Sequence, residues 1–177
     1  MFFIPGILIT IATFPGVIVH EIAHLLFCRI FRVAVFEVCY FRFGNPSGYV
    51  VHERPRNPIH HIMIGIGPFI LNSVVGAVIA APGVIPVIKF EAGSGLDYFL
   101  VWLGVSIAMH AFPSTGDAKS IWQATWSGEA PILAKLVTVP IVALIYVGAV
   151  GSFVWLDLIY GVGISMLLPV LLVRALA

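Results

Sequence analysis

The sequence predicts an all-α membrane protein of about five transmembrane helices, with a membrane-associated β-hairpin between the first and the second. Two observations carry that expectation. The 177 residues are 60% hydrophobic and only 10% charged, with a mean hydropathy of +1.09, outside the range of soluble globular domains. The apolar residues also gather into five stretches near the roughly 20 residues that a spanning helix needs. These are 2–28, 60–88, 96–113, 131–153 and 155–174. Little chain is left over, so 1–177 reads as a single polytopic membrane domain.

The first stretch competes with a signal peptide, but it lacks a basic leading region, its apolar run is too long, and no small-residue cleavage site follows. It reads as a permanent helix. Residues 33–53 change character: Val33 to Phe43 is rich in β-branched and aromatic residues, Gly44-Asn45-Pro46-Ser47-Gly48 is turn chemistry, and Tyr49-Val50-Val51 resumes the β pattern. This hairpin belongs at the interface or against protein, because open strand edges are not tolerated in lipid. Arg54-Pro55-Arg56-Asn57-Pro58 breaks regular structure before the second span. The loop between the second and third spans is too short for a domain, and the last two spans carry no recognisable motif.

Charge position gives an orientation. Arg29, Arg32, Arg42, Arg54 and Arg56 fall between the first two spans, whereas the next loop holds Lys89 against Glu91 and Asp97. The positive-inside rule then makes the first connection cytoplasmic and puts the N-terminus outside. Lys119 and Lys135 in the third connection, and Arg174 at the end of the fifth span, are expected on the cytoplasmic side as well. A net charge of +1 offers no basic field for nucleic acid. Cys28 and Cys39 lie on the side where thiols stay reduced, so no structural disulfide is expected.

The chemistry-bearing motif is His20-Glu21-Ile22-Ala23-His24, late in the first apolar helix. Histidines at i and i+4 share a helical face, so both imidazoles can bind one zinc ion while the glutamate serves as a base toward water. Ionisable groups within a spanning segment are costly and mark function. The structural alternative is that the three side chains satisfy one another against a neighbouring helix.

A catalytic zinc takes three protein ligands and keeps one open position. Asp117 is the expected third ligand: it follows the third span, which runs in the same direction as the first, so both arrive at one depth near their cytoplasmic ends. Its competing role is to cap a turn. Glu91, Asp97 and Asp157 are expected at the opposite face, and Glu37 and Glu53 sit in the hairpin. His110, about two turns before Asp117, would either donate to a developing oxyanion or pair with a backbone carbonyl. His52, His60 and His61 flank the hairpin near the interface.

With these residues in view, the run from Val19 through His20-Glu21-Ile22-Ala23-His24 to Cys28-Arg29 resembles the first motif of the site-2 protease family of intramembrane zinc metalloproteases. Gly48-Tyr49-Val50 is similar to that family's membrane-associated β segment, and Gly67-Pro68-Phe69-Ile70-Leu71-Asn72 to its G-P-x-x-x-N element. The family's third motif, N-x-x-P followed by D-G, is matched with departures. His110 stands in place of asparagine, Pro113 fits, and Asp117 comes one residue early with Ala118 in place of glycine.

The resemblance implies a small member without a PDZ domain. It implies Zn2+ as cofactor, Glu21 as catalytic base, and Asn72 and His110 as residues that hold substrate or intermediate. The partners it implies are a transmembrane protein or peptide substrate and the lipid bilayer; the charge pattern puts the active site toward the cytoplasmic side. A helical substrate must be unwound, and the hairpin could hold it extended by strand addition. The rival expectation is a zinc-binding membrane protein without peptidase activity, a metal carrier or regulatory pseudoprotease. Glu21 separates the two, since metal ligation alone does not call for it.

Overall fold

The computed structural model describes residues 6–126 and 130–176. The expected first helix, whose residues 2–5 lie outside this range, is two helices, α1 (Gly6–Ala12) and α2 (Phe14–Ile30), bent by 81°. The cause is local. Pro15 at the start of α2 has no N–H to continue the ladder, and Thr13 turns its hydroxyl back to the Ile9 carbonyl at 2.7 Å. The break is held from outside by Trp102 Nε1 donating to the Ala12 carbonyl at 3.2 Å and Ser106 Oγ to that of Thr13 at 2.9 Å.

The hairpin forms as expected. Strands β1 (Val35–Cys39) and β2 (Tyr49–His52) pair antiparallel, Cys39 opposite Tyr49 and Val38 opposite Val50. Helix α3 (Pro58–Val84) follows, capped by the Asn57 side chain on the Ile59 N–H, and ends in a π-helical turn at Ile85–Lys89. Helix α4 (Gly95–Met109) stops short of the expected limit at residue 113, because residues ahead of Pro113 are pushed out of the helical region. Beyond it lies an unexpected helix, α5 (Thr115–Trp126). Then come α6 (Ile132–Gly151), α7 (Leu156–Val162) and, after a π-helical turn, α8 (Leu168–Leu176).

Helices α3 and α4 pack through glycines. A Cβ on Gly76 would stand 2.7 Å from the Gly104 carbonyl oxygen and 2.8 Å from Ala108 Cβ. That small-residue seam is how helices approach closely where no hydrophobic force acts between them. By length and composition three segments can cross a membrane, Pro58–Lys89, Ile132–Val154 and Leu156–Ala175, or four if the bent pair α1–α2 is one span. Helix α4, at 15 residues, is shorter than a full crossing, so five spans do not emerge. Exposed Leu144, Val147, Ile159 and Leu171 give these helices an apolar outer face suited to lipid.

Contacts fix the relative directions. Along α2 and α4, Ala12 meets Trp102, Thr13 meets Ser106, and His20 meets His110, so the two run parallel, as expected. Helix α3 runs against α4, with Gly83 on Asp97 and Asn72 on Ile107 and His110. Helix α6 runs against α5. Thr125 bonds Thr138, Ala118 packs in one buried cluster with Val142 and Ile145, and Gly148 abuts Phe112.

The last helices correct the expected return to the Arg54 side. Gly161 sits on Met109 and α8 packs on the Ile85–Lys89 turn, so α7–α8 run parallel to α3 and carry Arg174 toward the Lys89 end. By Gly151, α6 has climbed only to the level of the α4–α5 junction. A turn through Trp155, in the left-handed region at φ 64°, lets the chain continue onward.

Candidate metal centre

The depth match expected between His20, His24 and Asp117 is realised: one ligand atom from each lies within 4.8 Å of the others. Helix α2 supplies both imidazoles from one face. His20 Nδ1 donates to the His110 carbonyl at 2.7 Å and His24 Nδ1 to the Ile64 carbonyl at 2.9 Å. A carbonyl can only accept, so both Nδ1 atoms carry the proton and both Nε2 atoms present bare lone pairs. Those two Nε2 atoms face each other at 3.2 Å. Between neutral rings this is not a hydrogen bond but a repulsion, relieved when a cation sits between them. Metal-ligating histidines are commonly oriented by such a bond from the other ring nitrogen.

Asp117 caps a turn, the competing role that the sequence offered it, and keeps one carboxylate oxygen out of the cap. Its Oδ2 accepts from the Ser114 N–H at 2.8 Å and the Ser114 hydroxyl at 2.6 Å, while its own N–H donates to Ser114 Oγ at 3.2 Å. This is a capping box that starts α5. Its Oδ1 is left for His24 Nε2, 3.5 Å away. The capping box therefore aims the second oxygen at the histidines.

Glu21 is 6% exposed and its carboxylate forms no hydrogen bond among the described residues. It lines a cavity of about 680 Å³ together with His20, His24, His110, Asp117 and the hairpin segment Asn45 to Val50. The hairpin turn presses on it. A Cβ on Gly48 would lie 2.7 Å from Glu21 Cγ and 2.8 Å from Oε1, so no other residue fits there without displacing the acid. Gly48→Ala is therefore expected to leave the three converging ligand groups in place and to misplace Glu21, which, where Glu21 serves as a base in turnover, would cost about 10²-fold. Metal content and turnover of the variant check this; wild-type turnover would show that the contact is inconsequential. The Tyr49 hydroxyl donates to the Glu37 carboxylate, and that hydrogen bond holds the phenol proton and raises its pKa.

The two residues implied to hold substrate or intermediate sit differently. Asn72 is fully buried and is not among the cavity walls. Its amide nitrogen donates to the Gly16, Ile107 and His110 carbonyls at 3.2, 3.1 and 3.2 Å. Three acceptors on one atom identify it as the NH2 group. It ties α2, α3 and α4 together and shares the His110 carbonyl with His20, so it acts on the site from one layer behind.

His110 lines the cavity, and its Nε2 lies 2.8 Å from Thr13 Oγ1. Thr13 spends its only proton on Ile9, so His110 Nε2 is the donor. That tautomer leaves Nδ1 as an acceptor and gives a neutral His110 no N–H to offer an oxyanion.

Of the remaining histidines, His60 stacks on Phe31, and His61 bonds Ser120 Oγ at 2.8 Å between this cavity and a smaller one of about 340 Å³. His52 bonds the Glu53 carbonyl. Both cysteines are free, as expected. Asp157, expected at the opposite face, lines the same cavity as Glu21; the sequence pattern hid this because it implied a returning fifth span. Compared with family models, with curated proteins and with solved structures, the chain finds no match in any of the three.

Proposed function

We propose that this chain is an intramembrane zinc metalloprotease of the site-2 protease type, hydrolysing peptide bonds of transmembrane or membrane-associated substrates. The observation that carries the reading is Glu21: a buried carboxylate without a hydrogen-bond partner among the described residues, on the cavity wall that also presents His20, His24 and Asp117. Two imidazoles and a carboxylate suit zinc and leave its fourth position open. Bonds of about 2.0–2.1 Å would place neighbouring ligand atoms about 3.3 Å apart, and the three ligand atoms here lie within 4.8 Å of one another. The nitrogen pair stands at 3.2 Å and the His24–Asp117 pair at 3.5 Å.

Zinc held there would act as a Lewis acid, polarising a peptide carbonyl and acidifying water. Glu21 then takes the water's proton and returns it to the leaving amine. Its buried site and the Gly48 backbone hold it in place for both steps. Asn72, through the His110 carbonyl, and Ile64 fix the ring orientations of His20 and His24. The hairpin forms one cavity wall, where an extended segment could run beside β2 and regain the backbone hydrogen bonds lost on unwinding.

The N-terminus lies outside and the site toward the cytoplasmic side that holds Arg54, Arg56 and Lys119. The test is the zinc content of purified protein beside that of His20→Ala, followed by cleavage of a transmembrane peptide. One zinc per chain, lost in His20→Ala, with cleavage that depends on it, is the expected result. A metal-free wild type would remove the basis of the reading. Zinc without cleavage would favour the metal carrier or pseudoprotease.

A further inference from the structure

Among the described residues three carboxylates line the cavity of the candidate metal centre, Glu21, Asp117 and Asp157, and no lysine or arginine does. The first two have work at the metal. Asp157 does not. It opens α7, just after the Trp155 turn where the chain passes the site, and shares that part of the wall with Ser152, Ala149 and Gly148. Its Oδ1 accepts the Leu158 N–H at 2.9 Å, and no other residue donates to its second oxygen among the described residues. It forms no ion pair among them either. The small side chains of Gly148 and Ala149 leave room beside it.

An acid at the start of a helix has an ordinary explanation in the helix dipole. That explanation does not require the side chain to border the cavity that holds Glu21. A carboxylate in an apolar segment is costly unless something pairs with it, and no lysine or arginine in this cavity does so. Asp157 is only partly buried, so solvent can meet that cost in the empty cavity, and a cationic group of an occupant can take the solvent's place.

We propose that Asp157 is a specificity-determining residue that pairs with a basic side chain, lysine or arginine, of the bound peptide. The chemistry thus favours substrates with a cation a short distance along the chain from the scissile bond. This rests on the hydrolytic reading above, and its test is arranged so that the two can fail separately.

Two membrane peptides, identical but for Lys or Gln at one position, are compared with that position scanned along the segment around the cleavage site. The wild-type, zinc-loaded protein is expected to cleave the Lys peptide with kcat/KM about tenfold or more above the Gln peptide at one register, the scale of a close, partly desolvated charge pair. Asp157→Asn should bring that ratio near one, and Asp157→Lys should turn the preference toward a Glu peptide. The ratio, unlike the rate, is insensitive to a general loss of fold. A ratio near one at every register, or one unchanged in Asp157→Asn, overturns the proposal. If wild-type protein cleaves no peptide, hydrolysis fails as a reading and photo-crosslinking of the same peptides decides this one. Capture that favours Lys in the wild type but not in Asp157→Asn supports it, and equal capture of Lys and Gln peptides overturns it.

Discussion

Glu21→Gln is expected to purify with the same zinc content as the wild type and to cleave a transmembrane peptide about 10²–10⁴-fold more slowly, the usual cost of losing a general base. The amide has the shape of the carboxylate and can stay beside the Gly48 backbone that Glu21 now touches. Glu21 is not one of the three residues whose ligand atoms converge, so the metal should not sense the change. Zinc analysis and turnover of one preparation suffice. A Glu21→Gln variant cleaving at wild-type speed would transfer the base role elsewhere or support the reading without peptidase activity.

Asp117→Asn should weaken zinc binding by about two orders of magnitude or more, because a carboxylate ligand is lost from a low-dielectric site. The capping box sharpens this expectation. Asparagine has one carbonyl oxygen, and the Ser114 N–H and hydroxyl both call for an acceptor where Oδ2 now sits. The amide will turn its oxygen to Ser114 to keep α5 capped, which points its NH2 group at His24 Nε2 and at the metal. The fold should therefore persist while the ligand is replaced by a donor. Competition against a chelator gives the affinity and circular dichroism the helix content. Wild-type zinc affinity would rule out the ligand role and turn attention to His110.

Much of the site was legible because its signals are local. The spacing of His20 and His24 states which face they share, and the shared direction of the first and third apolar runs predicted that Asp117 would arrive at their depth. The hairpin announced itself through β-branched residues around Gly44 to Gly48. What the sequence hid depends on contacts between distant segments. The bend at Thr13 takes its hold from Trp102 and Ser106, some ninety positions away. Residues 115–126 read as a connection because their apolar content is low; the Ser114–Asp117 pairing is the signal that would have revealed a helix start. Asp157 was misplaced because hydropathy counts apolar runs without saying whether two consecutive runs turn back or continue.

The site is divided in chain order. His20 and His24 exist as soon as α2 does, but the carbonyl that orients His24 belongs to Ile64, the one that orients His20 to His110, and the carboxylate comes at Asp117. During synthesis the nascent chain first displays only two imidazoles on one helix, free to rotate and able to hold a metal by two bonds at most. Three-point chelation waits until α5 has been made and capped. Any metal held by this group is thus captured late in the making of the protein, and a chain interrupted before residue 117 lacks the third of the converging ligand groups.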